Sequence, residues 1–295
     1  MTDDRHAPYV RDLYSRLAVD LLPAELAERW TALVRPCARL RRAAEGEPVA
    51  ATLGGEPELP AGADWPEHPG HGPLSFVASV RCAALPREGL GEGFPPDGTL
   101  LFFAVDFSVD SSVDSSVGSS FEGRGGAHVL YVPAGTPTFP VAAPQELTPS
   151  PRTDLTAPPE ESAPDLWLPR ARQALLGEGE LWPHPRRIPS ELRPFHRAFG
   201  RLRTRVGHQI GGHALPVQGP VEYEIAGAEL GEGLPWGDPL LDREAERWVL
   251  LAQFDGAGDG AGELSWGGAG TLYWFIRPED LTAHRFGGAR LVVQC

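Results

Sequence analysis

Apolar residues recur at helical spacing near the start of the chain. Val10, Leu13, Tyr14, Leu17 and Leu21 share one face, with Arg11, Asp12, Ser15 and Arg16 on the other. Pro23 suits the first turn of a second helix, whose apolar stripe is Leu26, Trp30, Leu33 and Val34. Pro36 kinks or ends it, and Arg35, Arg39, Arg41 and Arg42 cluster where a helix C-terminus favours positive charge. The pattern thus predicts a helical pair within residues 8–44. From Leu53 the texture changes to short apolar runs between Gly/Pro turns. Strands are expected at Leu74–Cys82, Thr99–Phe107, His128–Val132, Trp248–Asp255 and Thr271–Arg277, with a last strand in RLVVQC. Residues 133–164, rich in Pro, Thr and Ala, read as an extended surface crossing. Ser190 is placed as the cap of a helix running to Val206, with Leu192, Phe195, Phe199, Leu202 and Val206 buried. Arg193, Arg197, Arg201 and Arg205 step by four along its opposite face and, with Arg186, Arg187 and Arg203, form a basic strip. Ser108 to Ser120 is a low-complexity insertion without bulky core-formers, expected to be a flexible loop.

The strand-rich segments echo each other. Gly54-Gly55 precedes Phe76–Val80 and Gly98-Thr99-Leu100; Gly211-Gly212 precedes Leu250–Phe254 and Gly270-Thr271-Leu272. Two related β-rich modules follow from that order. The fold class predicted is α+β, an internally duplicated, mostly antiparallel β core with N-terminal helices and a helix between the two repeats. The segments are 1–48 (N-terminal helical), 49–165 (first repeat), 166–206 (connecting helices) and 207–295 (second repeat).

These same residues carry a family resemblance. The strings GGEPELP, PLSF and GTLLFF in the first module, then GGHALPVQ, WVLLAQFD and WGGAGTLYWFIRPEDL in the second, resemble the YwqG-like family, also called DUF1963. The likeness covers roughly residues 53–106 and 207–285. It implies a duplicated α+β protein and no established activity.

Composition narrows the classes. There are 26 basic residues, all Arg, against 40 acidic ones, for a net charge of −14. A non-specific nucleic-acid binder is therefore not expected, and the absence of Lys removes Schiff-base catalysis. No apolar run reaches membrane-spanning length, and the first residues show no basic region followed by an apolar core. The protein is expected in the cytoplasm, away from membranes, with Cys37, Cys82 and Cys295 as reduced thiols.

The richest polar stretch is HQIGGHALPVQ, His208 to Gln218. A turn with paired glycines, two imidazoles and two carboxamides suits a cleft. Period-two alternation places Gln253 and Asp255 on one strand face together with Leu251. Trp236, Trp248, Trp266 and Trp274 are candidate stacking walls. The ligand-binding set is Gln209, Gly211, Gly212, Gln218, Trp248, Gln253 and Trp266. The same amides would equally serve as tethers for neighbouring loops, and the tryptophans as core. His208, His213 and Asp255 are the acid/base candidates should the protein be an enzyme. Neither HPGH (His68, His71) nor HQIGGH matches a metal-ligand string, no G-x-S-x-G elbow surrounds Ser265, and no cofactor is expected. The expectation is a ligand- or protein-binding module near the second repeat, its partner a small molecule or a protein, with a basic protein suiting the acidic charge.

Overall fold

A computed structural model describes residues 12–87, 90, 93–105, 126–177, 188–203, 207–231, 233–256 and 270–295. The 108–120 insertion, Ser265, Trp266, Arg186, Arg187, Arg205, Val10 and Val206 lie outside these residues. Helices α1 (Leu13–Leu21) and α2 (Ala24–Thr31) precede strand β1 (Arg35–Arg42). Strands β2 (Ala51–Leu53), β3 (Glu58–Pro60), β4 (Glu67–His68), β5 (Gly72–Pro73), β6 (Ser75–Arg81), β7 (Thr99–Ala104) and β8 (Ala127–Val132) follow. Next come β9 (Thr138–Pro140), β10 (Thr153–Thr156), β11 (Pro159–Ser162), helices α3 (Pro169–Leu176) and α4 (Arg193–Leu202), and β12 (His208–Ile210). The chain closes with α5 (Val221–Leu230), α6 (Pro239–Ala245), β13 (Val249–Asp255), β14 (Thr271–Ile276), α7 (Pro278–Thr282) and β15 (Arg290–Gln294). The protein is mixed α+β.

Among the described residues, eleven strands form one antiparallel sheet in the order β15-β14-β13-β12-β1-β10-β2-β6-β7-β8, with β11 also paired to β1. The order has matching pairings from its two edges. In β13–β14 the register shifts between Leu250 and Ala252, with Ala252 opposite Trp274; in β6–β7 it shifts between Phe76 and Ala78, with Ala78 opposite Phe102. Gln209 faces Gln253 where Thr52 faces Ser79, and Ile210 faces Ala252 where Leu53 faces Ala78.

Alternation sorts each strand into two apolar faces. Leu100, Phe102 and Ala104 meet Phe254, Leu272, Trp274 and Ile276 in one core shared by both halves of the sheet. Phe102 packs edge-on against Phe254 and Trp274, with ring centroids 5.3 Å apart in both cases. Tyr131 of β8 reaches Phe286 just before β15, at 5.6 Å, so the curled sheet nearly closes on itself. The outward residues Leu250, Tyr273 and Phe275 lie in a second cluster with Val221 and Ile225 of α5. Leu101 and Phe103 lie in another with Leu59 of β3. The first two helices pack as expected from their stripes: Tyr14, Ala18 and Trp30 join Phe195 and Phe199 of α4, and Trp30 stands edge-on to both phenylalanines.

Four expectations change. Residues 35–42 form a strand at the middle of the sheet instead of a helix end. Pro36 withholds a helical N–H, Ala38 and Leu40 turn inward, and Arg39 pairs at 3.0 Å with Glu160 of adjacent β11. Residues 133–164 are no mere surface crossing: β10 and β11 pair with β1, and Leu155 is buried. Ser190 does not cap α4. It opens a short 3-10 turn and its hydroxyl donates to Glu191, while Pro194 occupies the first turn of the helix. Helices α5 and α6 had no counterpart in the pattern, because buried residues on several faces of α5 leave it without a polar stripe.

The paired glycines are required by conformation and space together. Gly54, Gly55, Gly211 and Gly212 all have positive φ. A Cβ on Gly212 would lie 2.7 Å from the Cys37 Cβ and closer still to the Ser162 hydroxyl. Gly46 has a similar φ of 83° with nothing near its Cβ position. Gly212→Ala is therefore expected to cost about 2–4 kcal/mol and Gly46→Ala about 1 kcal/mol. Urea unfolding midpoints of the two variants measure the difference.

Candidate functional site

The segment from Gly211 to Gly219 runs as a strap across the second half of the sheet. Among the described residues its one backbone bond to a strand is at its start, where Gly211 N donates to Leu251 O at 3.2 Å, and beyond it side chains from successive strands hold its peptide groups. Gln209 of β12 donates from Nε2 to Gly211 O at 2.8 Å and His213 O at 2.7 Å. Gln253 of β13 accepts from Leu215 N at 2.9 Å and donates to Gly207 O at 2.8 Å. The Tyr273 hydroxyl of β14 donates to Leu215 O at 2.9 Å. Gln294 of β15 accepts from Val217 N and Gln218 N and donates to Gly219 O and Glu224. Gln209, Gln253 and Gln294 are wholly buried. A register shift between Leu250 and Ala252 separates Leu251 from Gln253: Leu251 joins the core with Ala252 and Phe254, and Gln253 points to the strap. The simple alternation expected for that strand therefore fails at the bulge.

His213 is buried where the strap meets the N-terminal segment. Its Nε2 lies 2.8 Å from Leu33 O, and its amide donates to the Ser162 hydroxyl at 2.9 Å. Burial first, and the Arg35 charge next, hold its imidazole down at about 3. His208 lies elsewhere, beside Phe254. Its Nδ1 accepts the Asp255 amide at 3.0 Å, and the Asp255 carboxylate accepts the Thr271 hydroxyl at 3.2 Å. Accepting at Nδ1 puts the proton of a neutral ring on Nε2. Trp248 is buried, its indole donating to Glu244 at 3.2 Å and its ring 4.0 Å below the Arg277 guanidinium. Gly211 packs on Leu90 and Phe94, and Gly212 on Cys37 and Ser162. Trp274 belongs to the central core.

Two predicted residues, Gln218 and the candidate stacking wall Trp236, border a hollow of about 530 Å³. The strap supplies Gln218 and Gly219; Trp236 comes from the α5–α6 connection, Asp165 and Trp167 precede α3, and Arg203 follows α4. Arg203 and Asp165 are nearly buried, at 9% and 14% exposure, and lie 3.3 Å apart. The guanidinium also donates to Ala163 O at 3.3 Å and Ala214 O at 3.2 Å, and Asp165 accepts from Trp167 N at 2.9 Å. Trp236 stacks on Tyr223, whose hydroxyl donates to Asp242, itself paired with Arg172 at 2.6 Å. Glu222, next to Tyr223 in α5, is buried. Burial raises its carboxyl, against the pull of Arg170 and Arg203.

Asp165 and Trp167 had no signal in the pattern, since they sit in a Pro-rich connector. Arg203 had one: it breaks the four-residue step of the basic strip and belongs to the buried side of the helix. Gln294 had one too, sharing a strand face with Val292. A second hollow, of about 480 Å³, is bordered by Asp12, Glu160 and Glu161, but Glu161 accepts the Tyr14 and Ser15 amides and so caps α1. Among the described residues no group of three or more His, Cys, Asp or Glu gathers as a candidate metal site, and no helix is long and apolar enough to cross a membrane.

The family model described as Domain of unknown function (DUF1963) matches residues 51–295. The chain belongs to that family. No curated protein matches it. The DUF1963 match takes in both hairpins, the strap, its glutamines and every residue named around the first hollow. Helices α1 and α2 and strand β1 precede it, although β1 lies mid-sheet.

Two outcomes test the strap. Gln253→Leu keeps the volume and strands Leu215 N and Gly207 O, so a loss of about 2–4 kcal/mol is expected in chemical denaturation. The second concerns pH. The folded value of His213 lies below its ordinary 6.5, so the unfolded chain takes up the proton first as pH falls. Its contribution is complete above about pH 6.5 and is lost towards pH 3, with a slope of up to about 1.4 kcal/mol per unit. Glu222 acts oppositely, because its raised folded value makes the folded state the first to bind a proton. His213→Gln retains a donor for Leu33 O. Its denaturation midpoint should fall less than the wild type's between pH 7 and 4.5.

Proposed function

We propose that this DUF1963 protein is a binding module that takes a small molecule in the hollow bordered by Trp167, Trp236, Asp165, Arg203 and Gln218. The observation that carries the reading is the composition of that hollow. Two indoles flank a nearly buried charge pair in about 530 Å³, within the range of about 300–1,000 Å³ usual for such sites. Half of the Trp236 surface is open to solvent, although the residue is large and apolar. Gln218 and Trp236 are the ligand contacts among the residues singled out from the sequence. Gln209 and Gln253 serve by holding the strap that forms one wall, and Gly211 and Gly212 by letting it pack.

Internal duplication is part of the same proposal. The mirrored strand order, the equivalent bulges and the two positive-φ glycine pairs support descent of both halves from one β unit. The copies then diverged: Thr52 and Ser79 stand where Gln209 and Gln253 stand. Only the second carries the long amides that hold a strap, so the hollow arises on that side.

Native mass spectrometry of the protein purified from its own host tests the reading. A stoichiometric small-molecule adduct is expected in the wild type and not in Trp236→Ala. The half-exposed indole should be removable with a melting temperature within about 3 °C of wild type. An adduct retained in the variant, or a protein partner in place of any small molecule, would refute the proposal.

A further inference from the structure

The chemistry of the hollow narrows the ligand. Its polar floor presents an acceptor and a donor side by side, the Asp165 carboxylate and the Arg203 guanidinium, 3.3 Å apart. Both are nearly withdrawn from water, so a ligand that left either without compensation would lose heavily. A simple anion would bring its charge against Asp165. A simple cation would meet Arg203. A neutral group carrying N–H beside C=O matches both partners at once. It donates to the carboxylate, which offers lone pairs beyond those used by Trp167 N and Arg203. It accepts from the guanidinium, which carries donors beyond those spent on Ala163 O, Ala214 O and Asp165.

The walls add a shape requirement. Trp167 and Trp236 favour a flat ring, because stacking rewards planar π surfaces whatever their substituents. Trp236 is placed by Tyr223 on one side and by Gly219 on another. A Cβ on Gly219 would come 2.8 Å from the indole Cη2. Any side chain at 219 therefore pushes the ring out of place. The φ of Gly219 is not left-handed, so the glycine serves the indole and not a turn.

Resting on the small-molecule reading above, we infer that the ligand is a planar heteroaromatic amide of the nucleobase class. Its ring stacks against Trp236, its N–H donates to Asp165 and its adjacent carbonyl accepts from Arg203. The Gln218 side chain at the rim donates one amide N–H to Cys295 O at 2.7 Å, and its carbonyl and second N–H add a donor–acceptor group for an exocyclic substituent.

Isothermal titration of the full-length protein with inosine and with uridine tests this, with indole (ring without the amide edge) and benzoate (ring with a plain anion) as comparisons. Saturable binding of at least one nucleoside is expected, tenfold or more tighter than indole or benzoate. Trp236→Ala and Gly219→Ala should each weaken it at least tenfold. Asp165→Asn should weaken nucleoside binding while leaving indole unchanged, and indole binding itself reports that the hollow is intact in that variant. Equal affinity for indole, preference for benzoate, or nucleoside affinity untouched by Asp165→Asn overturns the amide class while leaving the small-molecule reading standing. Binding of none of the four probes overturns the class as well. If the protein from its own host is then also empty by native mass spectrometry, the small-molecule reading falls with it.

Discussion

A chain laid across a packed sheet must find partners for its peptide groups, and the second half of this protein depends on how that need is met. The strap from Gly211 to Gly219 covers strands that already pair with each other, so no backbone ladder is open to it. Side chains from β12, β13, β14 and β15 take over in turn: Gln209, Gln253, Tyr273 and Gln294. A carboxamide suits this work because it donates and accepts at one end and needs no counter-ion in a dry interior. Replacing the strap by a looser loop would remove one wall of the hollow and the seat of Trp236.

The sheet makes the strap possible. Its two halves face each other through Phe102, Phe254 and Trp274, and its ends approach through Tyr131 and Phe286. Bulges in β6 and β13 sharpen the curvature and turn consecutive residues towards the core. The helical layer closes the other side of the hollow. Arg203 ties the end of α4 to Ala163 and to Ala214 of the strap, so helix, connector and strap converge on one guanidinium. Arg172, Asp242 and Tyr223 join α3, α6 and α5 in the same way beneath Trp236.

Much of this was legible beforehand where one physical requirement dominated. The strands at 75–81, 99–104, 249–255 and 271–276 stood out because both of their faces are buried, leaving runs such as TLLFFA and TLYWFI with few polar residues. Paired glycines marked turns, and positive φ is what they provide. RPCARLRR misled, because the arginines that suit a helix end also suit a strand flanked by Glu160 and Glu47. Leu251 misled because a bulge is invisible to period-two counting. The polar stretch from His208 to Gln218 was recognised as special, yet its amides could be read as ligand contacts or as tethers. Only the positions of Leu215 N, Gly207 O and His213 O distinguish these, and they make Gln209 and Gln253 tethers.

The sequence by itself determined the antiparallel hairpins, the glycine bends, the early apolar helices and the family, since each rests on neighbours along the chain or on a contiguous string. Tertiary structure alone decided where the hollow lies. Asp165, Trp167, Arg203, Gln218 and Trp236 are separated by up to tens of residues and come from different elements, and no periodicity links them. What brings them together is the packing of the helical layer against a strapped sheet, a long-range arrangement that local pattern cannot encode.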